Sequence, residues 1–69
     1  MDKVKSLVHE QYEKMNLANR NIAWDVKQSL LVNKCQSIIY DDWGLGTQGL
    51  WDKVDECVEE LIPSQYEDW

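Results

Sequence analysis

The stretch from Ile22 to Tyr40, IAWDVKQSLLVNKCQSIIY, contains no glycine and no proline, and what it must bury limits what the chain can fold into. At about 100° per residue, Trp24, Leu31, Cys35 and Ile38 fall within roughly 60° of one another, and Ile39 and Val32 widen that stripe. Ile22, Val26 and Tyr40 fall nearly opposite, with Leu30 at their edge. A surface helix needs one apolar face about 100° wide. A helix with two needs neighbours on both sides, or a partner on one. The runs Leu30-Leu31-Val32 and Ile38-Ile39-Tyr40 favour strand locally, but each is too short to displace a helical pattern of this length.

Both flanking stretches supply single-faced helices. Val4, Leu7, Val8, Tyr12 and Met15 form one stripe, with Lys3, Lys5, Glu10, Glu13 and Lys14 on the other side and Asp2 as a candidate N-cap. Leu50, Trp51, Val54, Cys57, Val58, Leu61 and Ile62 form another, which Pro63 ends. The asparagines Asn16, Asn19 and Asn21 mark a turn between the first two helices, and Asn19 or Asn21 is the expected cap of the central one. A continuous helix over 2–41 is the alternative. Gly44, Gly46 and Gly49 mark the second loop. The expected fold is therefore all-α: one domain over 1–69, a small three-helix bundle with helices at about 2–16, 20–41 and 48–62 and a short acidic aromatic tail. The central helix would lie in the middle, with its two apolar sides covered by the other two.

Sixty-nine residues bury only about 60% of their extended surface, so such a domain is marginal unless a staple or a partner helps. Cys35 and Cys57 both sit on apolar stripes, where free cysteine acts as a small hydrophobe. With the distant His9 they are too few for a zinc site. No metal and no cofactor is expected. The N-terminal segment lacks the apolar core of a secretory signal, and no apolar run is long enough to span a bilayer. The expectation is a cytoplasmic protein that does not engage a membrane.

The net charge of −6 is unevenly distributed: residues 1–34 carry +2 and residues 35–69 carry −8. Nucleic acid and anionic membrane both require clustered cations, so direct binding to either is not expected. A basic protein surface, one that itself binds nucleic acid, suits the charge better. Catalytic patterns are weak. His9 has no nucleophile or carboxylate at a pairing distance in sequence. Counted from Asp41, a calcium loop would place Trp43 and Leu45 at ligand positions. Gly44, Gly46 and Gly49 match a GxGxxG spacing but follow a helix rather than a strand, without a lysine beside them. The chain is read as non-enzymatic.

Two segments resemble each other: Tyr40-Asp41-Asp42-Trp43 and Tyr66-Glu67-Asp68-Trp69. Each follows an amphipathic stretch that opens near a Trp-Asp pair, Trp24-Asp25 or Trp51-Asp52. Core packing accounts for Trp24 and Trp51. Trp43 and Trp69 lie beside acids outside the helices, where exposed aromatics favour interfaces. The expected partner-binding residues are thus Asp41, Asp42 and Trp43, the outer face of the third helix (Asp52, Asp55, Glu56, Glu59, Glu60), and Tyr66 and Trp69 in the tail. The expected function is a small acidic inhibitor or regulator that mimics nucleic acid on a basic protein surface, in the manner of small phage proteins. The alternative is a homodimeric structural module or assembly factor with Ile22, Val26 and Tyr40 as its self-interface.

Overall fold

A computed structural model describes residues 3–63 as three α-helices and one 3₁₀ turn. Helix α1 spans Lys3–Lys14, α2 spans Trp24–Asp41 and α3 spans Gln48–Leu61, with the 3₁₀ turn at Leu17–Asn19. Each helix packs against both others. The core forms where the three stripes meet: Val4, Leu7 and Val8 from α1, Leu31, Cys35 and Ile39 from α2, and Val54, Cys57 and Val58 from α3, with Leu17 and Ile62 closing one end. The fold is the three-helix bundle that the periodicity predicts. No helix among the described residues is long and apolar enough to cross a membrane.

The first connection is tighter than the asparagine spacing suggests. Helix α1 ends at Lys14, and Asn16 adopts the left-handed conformation at φ 57°, which asparagine tolerates better than most residues. Its side-chain oxygen accepts a hydrogen bond from Asn19 Nδ2 at 2.7 Å. The Arg20 Nε–H donates to the Met15 carbonyl at 3.2 Å. The turn drives Leu17 into the core, where it is fully buried. The central helix lacks its expected first turn: α2 begins at Trp24, and its N-cap is Ala23 rather than Asn19 or Asn21. The break also rules out a continuous helix over 2–41. Asp25 in the first turn of α2 accepts the Val26 N–H at 2.9 Å, a carboxylate placed where the helix dipole favours it.

One further correction concerns the position of α2. It does not lie between the other helices. Only the side carrying Leu31, Cys35 and Ile39 is buried. Ile22, Val26 and Tyr40 remain 37%, 45% and 69% exposed. In a three-helix bundle every helix meets its two neighbours along adjacent edges of one face, so a second apolar side opposite that face has nothing to cover it.

After α2 the Asp42 and Trp43 N–H groups both donate to the Ile38 carbonyl, at 2.8 and 3.3 Å, and Leu45 N–H donates to the Ile39 carbonyl at 3.1 Å. Gly44, at φ 68°, makes this path accessible. Gly46 lies against the Tyr40 ring: a Cβ added to Gly46 would stand 3.3 Å from Tyr40 Cδ2. Thr47 then caps α3, its hydroxyl accepting from Leu50 N–H at 3.4 Å. Gly49 belongs to the first turn of α3, so the three glycines do not form one loop.

Candidate functional site

Helix α3 divides its surface sharply. Val54, Cys57 and Val58 face the core. Asp52, Asp55, Glu56, Glu59 and Glu60 lie on the opposite side and are all exposed. The structure thus brings together the five carboxylates that the sequence pattern assigns to one face. From Asp52 to Glu60 they are distributed over about 12 Å of helix axis. Two of them also contribute to the fold. Asp52 accepts from Gln48 Nε2 at 3.0 Å, and Glu59 accepts from Gln28 Nε2 of α2 at 3.1 Å. The same Gln28 amide donates to the Ile62 carbonyl at the end of α3. Glu59 and Glu60 occupy the last turn of α3, which carries no basic residue, so both oppose the helix dipole.

The Asp41-Asp42-Trp43 group is a separate feature at another place. Asp41 is exposed and accepts from the Ser37 hydroxyl at 3.4 Å. Asp42 is exposed, but Trp43 is not the exposed aromatic that its acidic neighbours suggest. It is half-buried and packs on the core, and the Lys3 ammonium stands 5.8 Å from its ring centroid. The physical reason is the set of hydrogen bonds to Ile38, which turn the chain back over the end of the bundle and carry the indole with it. Trp43 also walls an open groove of about 800 Å³, along with Lys3, Val4, Leu45, Leu50 and Lys53. No periodic pattern marks this groove, because its residues come from three separate segments. Tyr66 and Trp69, with the second copy of the Tyr-acid-acid-Trp segment, lie outside the described residues.

Ile22, Val26 and Tyr40 are exposed at separate points before and along α2. Ile22 precedes α2 and borders a small crevice with Tyr12, Trp24 and Leu61. Val26 and Tyr40 stand about 21 Å apart along α2, and Tyr40 leans toward Gly46 and Trp51.

The reactive side chains are inaccessible or isolated. Cys35 and Cys57 are free thiols buried in the core, as their place on the apolar stripes predicts. Burial, reinforced by the neighbouring Cys57, pushes the Cys35 thiol from 9.0 up to about 11, which keeps it protonated and poorly nucleophilic. His9 is exposed on α1. Among the described residues no three His, Cys, Asp or Glu side chains converge as a metal site, and every buried side-chain nitrogen or oxygen has a hydrogen-bond partner. Comparison of the chain with protein-family models, with curated proteins and with solved structures finds no match.

Proposed function

We propose that this protein is a non-enzymatic, cytoplasmic regulator that binds and inhibits another protein by presenting the outer face of α3 to a basic surface. One observation carries the reading: five exposed carboxylates on a single face, about one per 3 Å of helix axis. That approaches the charge spacing of a nucleic-acid strand, one phosphate per roughly 3.4 Å. Rigid display matters as much as density. The face belongs to a helix whose other side is locked in the core, so little ordering entropy is lost on binding. A protein groove that holds nucleic acid is the partner with matching charge, and occupation by α3 would exclude the nucleic acid.

The test is capture of nucleic-acid-binding proteins from a lysate by the tagged protein, with and without competing duplex DNA. The expected result is capture that DNA displaces and that the triple variant Asp55→Lys, Glu56→Lys, Glu60→Lys loses. These three side chains are exposed, so the variant keeps the fold. Equal capture by the variant and the parent protein would refute the proposal.

A second reading, a homodimeric structural module, rests on the outer strip of α2. Val26, Ser29, Asn33, Ser37 and Tyr40 are all exposed and none is charged, in a protein where 29% of residues are. Sedimentation at tens of micromolar separates the two: a monomer excludes the dimeric reading.

A further inference from the structure

We propose that Cys35 and Cys57 form a thiol oxidation site: the disulfide of a small thiol converts them into one protein disulfide that staples α2 to α3 within the native bundle. This does not depend on the role proposed above for the acidic face.

The argument begins with register. Helices α2 and α3 run antiparallel and are pinned to each other near both ends. At one end Gln28 donates to Glu59 and to the Ile62 carbonyl. At the other, the Tyr40 and Trp51 rings both close on Gly46, 3.3 and 3.6 Å from where its Cβ would stand. Cys35 lies about midway between Gln28 and Tyr40, and Cys57 about midway between Trp51 and Ile62. The two cysteines therefore stand at the same level of the α2–α3 seam. Both also face inward: Cys35 is fully buried and Cys57 nearly so, each on the core stripe of its helix. Packed helices lie roughly 8–10 Å apart axis to axis, with each Cα about 2.3 Å from its own axis. Facing Cα atoms thus approach to about 3.5–5.5 Å, which overlaps the span of about 4.4–6.8 Å that a disulfide bridges. Electrostatics agree with this placement. Burial and, after it, repulsion from a Cys57 thiolate hold the proton on Cys35, and such repulsion requires the two sulfurs to be near each other.

The oxidant is the disulfide of a small thiol such as glutathione. When the seam opens, the thiolate of one cysteine attacks the small disulfide, forms a mixed disulfide and expels one small thiolate. The thiolate of the second cysteine then attacks the protein sulfur of that mixed disulfide and expels the other. One S–S bond breaks and one forms, both protein sulfurs are oxidised, and the two thiol protons end on the two small thiols. Opening sets the rate, because the closed bundle encloses both sulfurs. Once made, the bond closes a loop of about 20 residues and restricts the unfolded chain, a form of support that small domains commonly need. A reducing compartment reverses the reaction, so the pair responds to oxidation rather than serving as a permanent staple.

The test equilibrates the intact protein with mixtures of reduced and oxidised glutathione, in native buffer and in concentrated urea. Acid quenching, alkylation and mass spectrometry then count the free, bridged and glutathionylated cysteines. The expected product is a monomer lacking two hydrogens, with neither cysteine alkylated or glutathionylated. Its helical circular dichroism should be unchanged and its melting temperature raised by about 10 °C or more. At equal glutathione, the ratio of bridged to reduced protein should be about a hundredfold higher in native buffer than in urea. Dithiothreitol should reverse the bridge and the rise in melting temperature. Cys57→Val, which keeps the site apolar, should show no such rise on oxidation, and the native-to-urea ratio needs no variant. Bridging no more favourable in native buffer than in urea would overturn the proposal. So would a persistent glutathione adduct, a covalent dimer, a bridged product that melts lower or loses helicity, or an oxidation-dependent rise that survives in Cys57→Val.

Discussion

The Lys3 ammonium stands 5.8 Å from the centre of the Trp43 ring, and the pair ties the first turn of α1 to the chain just beyond α2. Lys3 stands over the face of the indole, and the indole also packs against the core. Lys3→Ala should cost about 0.5–1 kcal/mol, as for a solvent-exposed cation–π pair. Trp43→Ala should cost about 2 kcal/mol, roughly half the penalty of removing a fully buried ring. Thermal melts followed at 222 nm check both, at about 4–8 °C per kcal/mol for a domain of this size. Equal, negligible shifts would mean that Trp43 does not close the end of the bundle.

Gln28 joins α2 to the far end of α3. Its amide donates both to Glu59 and to the Ile62 carbonyl, one of the acceptors a helix terminus leaves without a helical partner. Gln28→Ala should destabilise by about 1 kcal/mol, measurable by urea denaturation. Glu59→Gln should cost less, because the Ile62 bond survives.

Gly44 and Gly49 should respond to alanine with opposite signs. Gly44 sits at φ 68°, so a Cβ is strained there although nothing lies within 4 Å; Gly44→Ala should cost about 1 kcal/mol. Gly49 is in the first turn of α3 with open space around it, and Gly49→Ala should gain a few tenths to about 1 kcal/mol. Denaturation midpoints moving in the same direction would contradict the backbone path after α2.

These positions also show how far the sequence could be read. Stripes such as Val54, Cys57, Val58 and Leu61 report burial directly, because helical period and core facing are the same geometry. The bundle and the acidic face of α3 were therefore legible. What was not legible depended on tertiary demand. Leu17 stands among turn-forming residues, yet it is fully buried in the core. Asn19 and Asn21 have good capping chemistry, and Ala23 has the cap position. Trp43 was expected to be exposed because its sequence neighbours are acids, but the residue above its ring is Lys3, forty positions earlier. Periodicity marked two apolar sides on the central helix without showing that a three-helix arrangement covers only one.

Placing Glu60 in the last turn of α3 works against the helix dipole, and no basic residue there offsets it. Glu60→Lys should therefore stabilise the free protein by about 0.3–1 kcal/mol. If α3 is the partner-binding face, the same change should weaken capture of a basic partner. A rise in melting temperature together with a loss of binding is the expected outcome, the trade found where a surface is kept for use at the expense of stability. Destabilisation by Glu60→Lys would contradict the dipole argument, and unchanged capture would remove Glu60 from the binding face.

Cys35 gives a pH dependence with a definite sign. Its thiol is raised from 9.0 to about 11 by burial and by Cys57, so the folded protein binds a proton that the unfolded chain releases at lower pH. Stability from this group is fully present below about pH 9 and is lost as pH rises toward 11. Urea midpoints should fall across that window in the parent protein and fall less in Cys35→Ala. Alanine also leaves a small void, so the variant starts from a lower midpoint, and the slope against pH is the quantity to compare. A thiol reagent should modify native Cys35 only at the rate at which the bundle opens, because the reactive thiolate is scarce and enclosed. Rapid modification at neutral pH would show that the α2–α3 contact around Cys35 and Cys57 is open in solution.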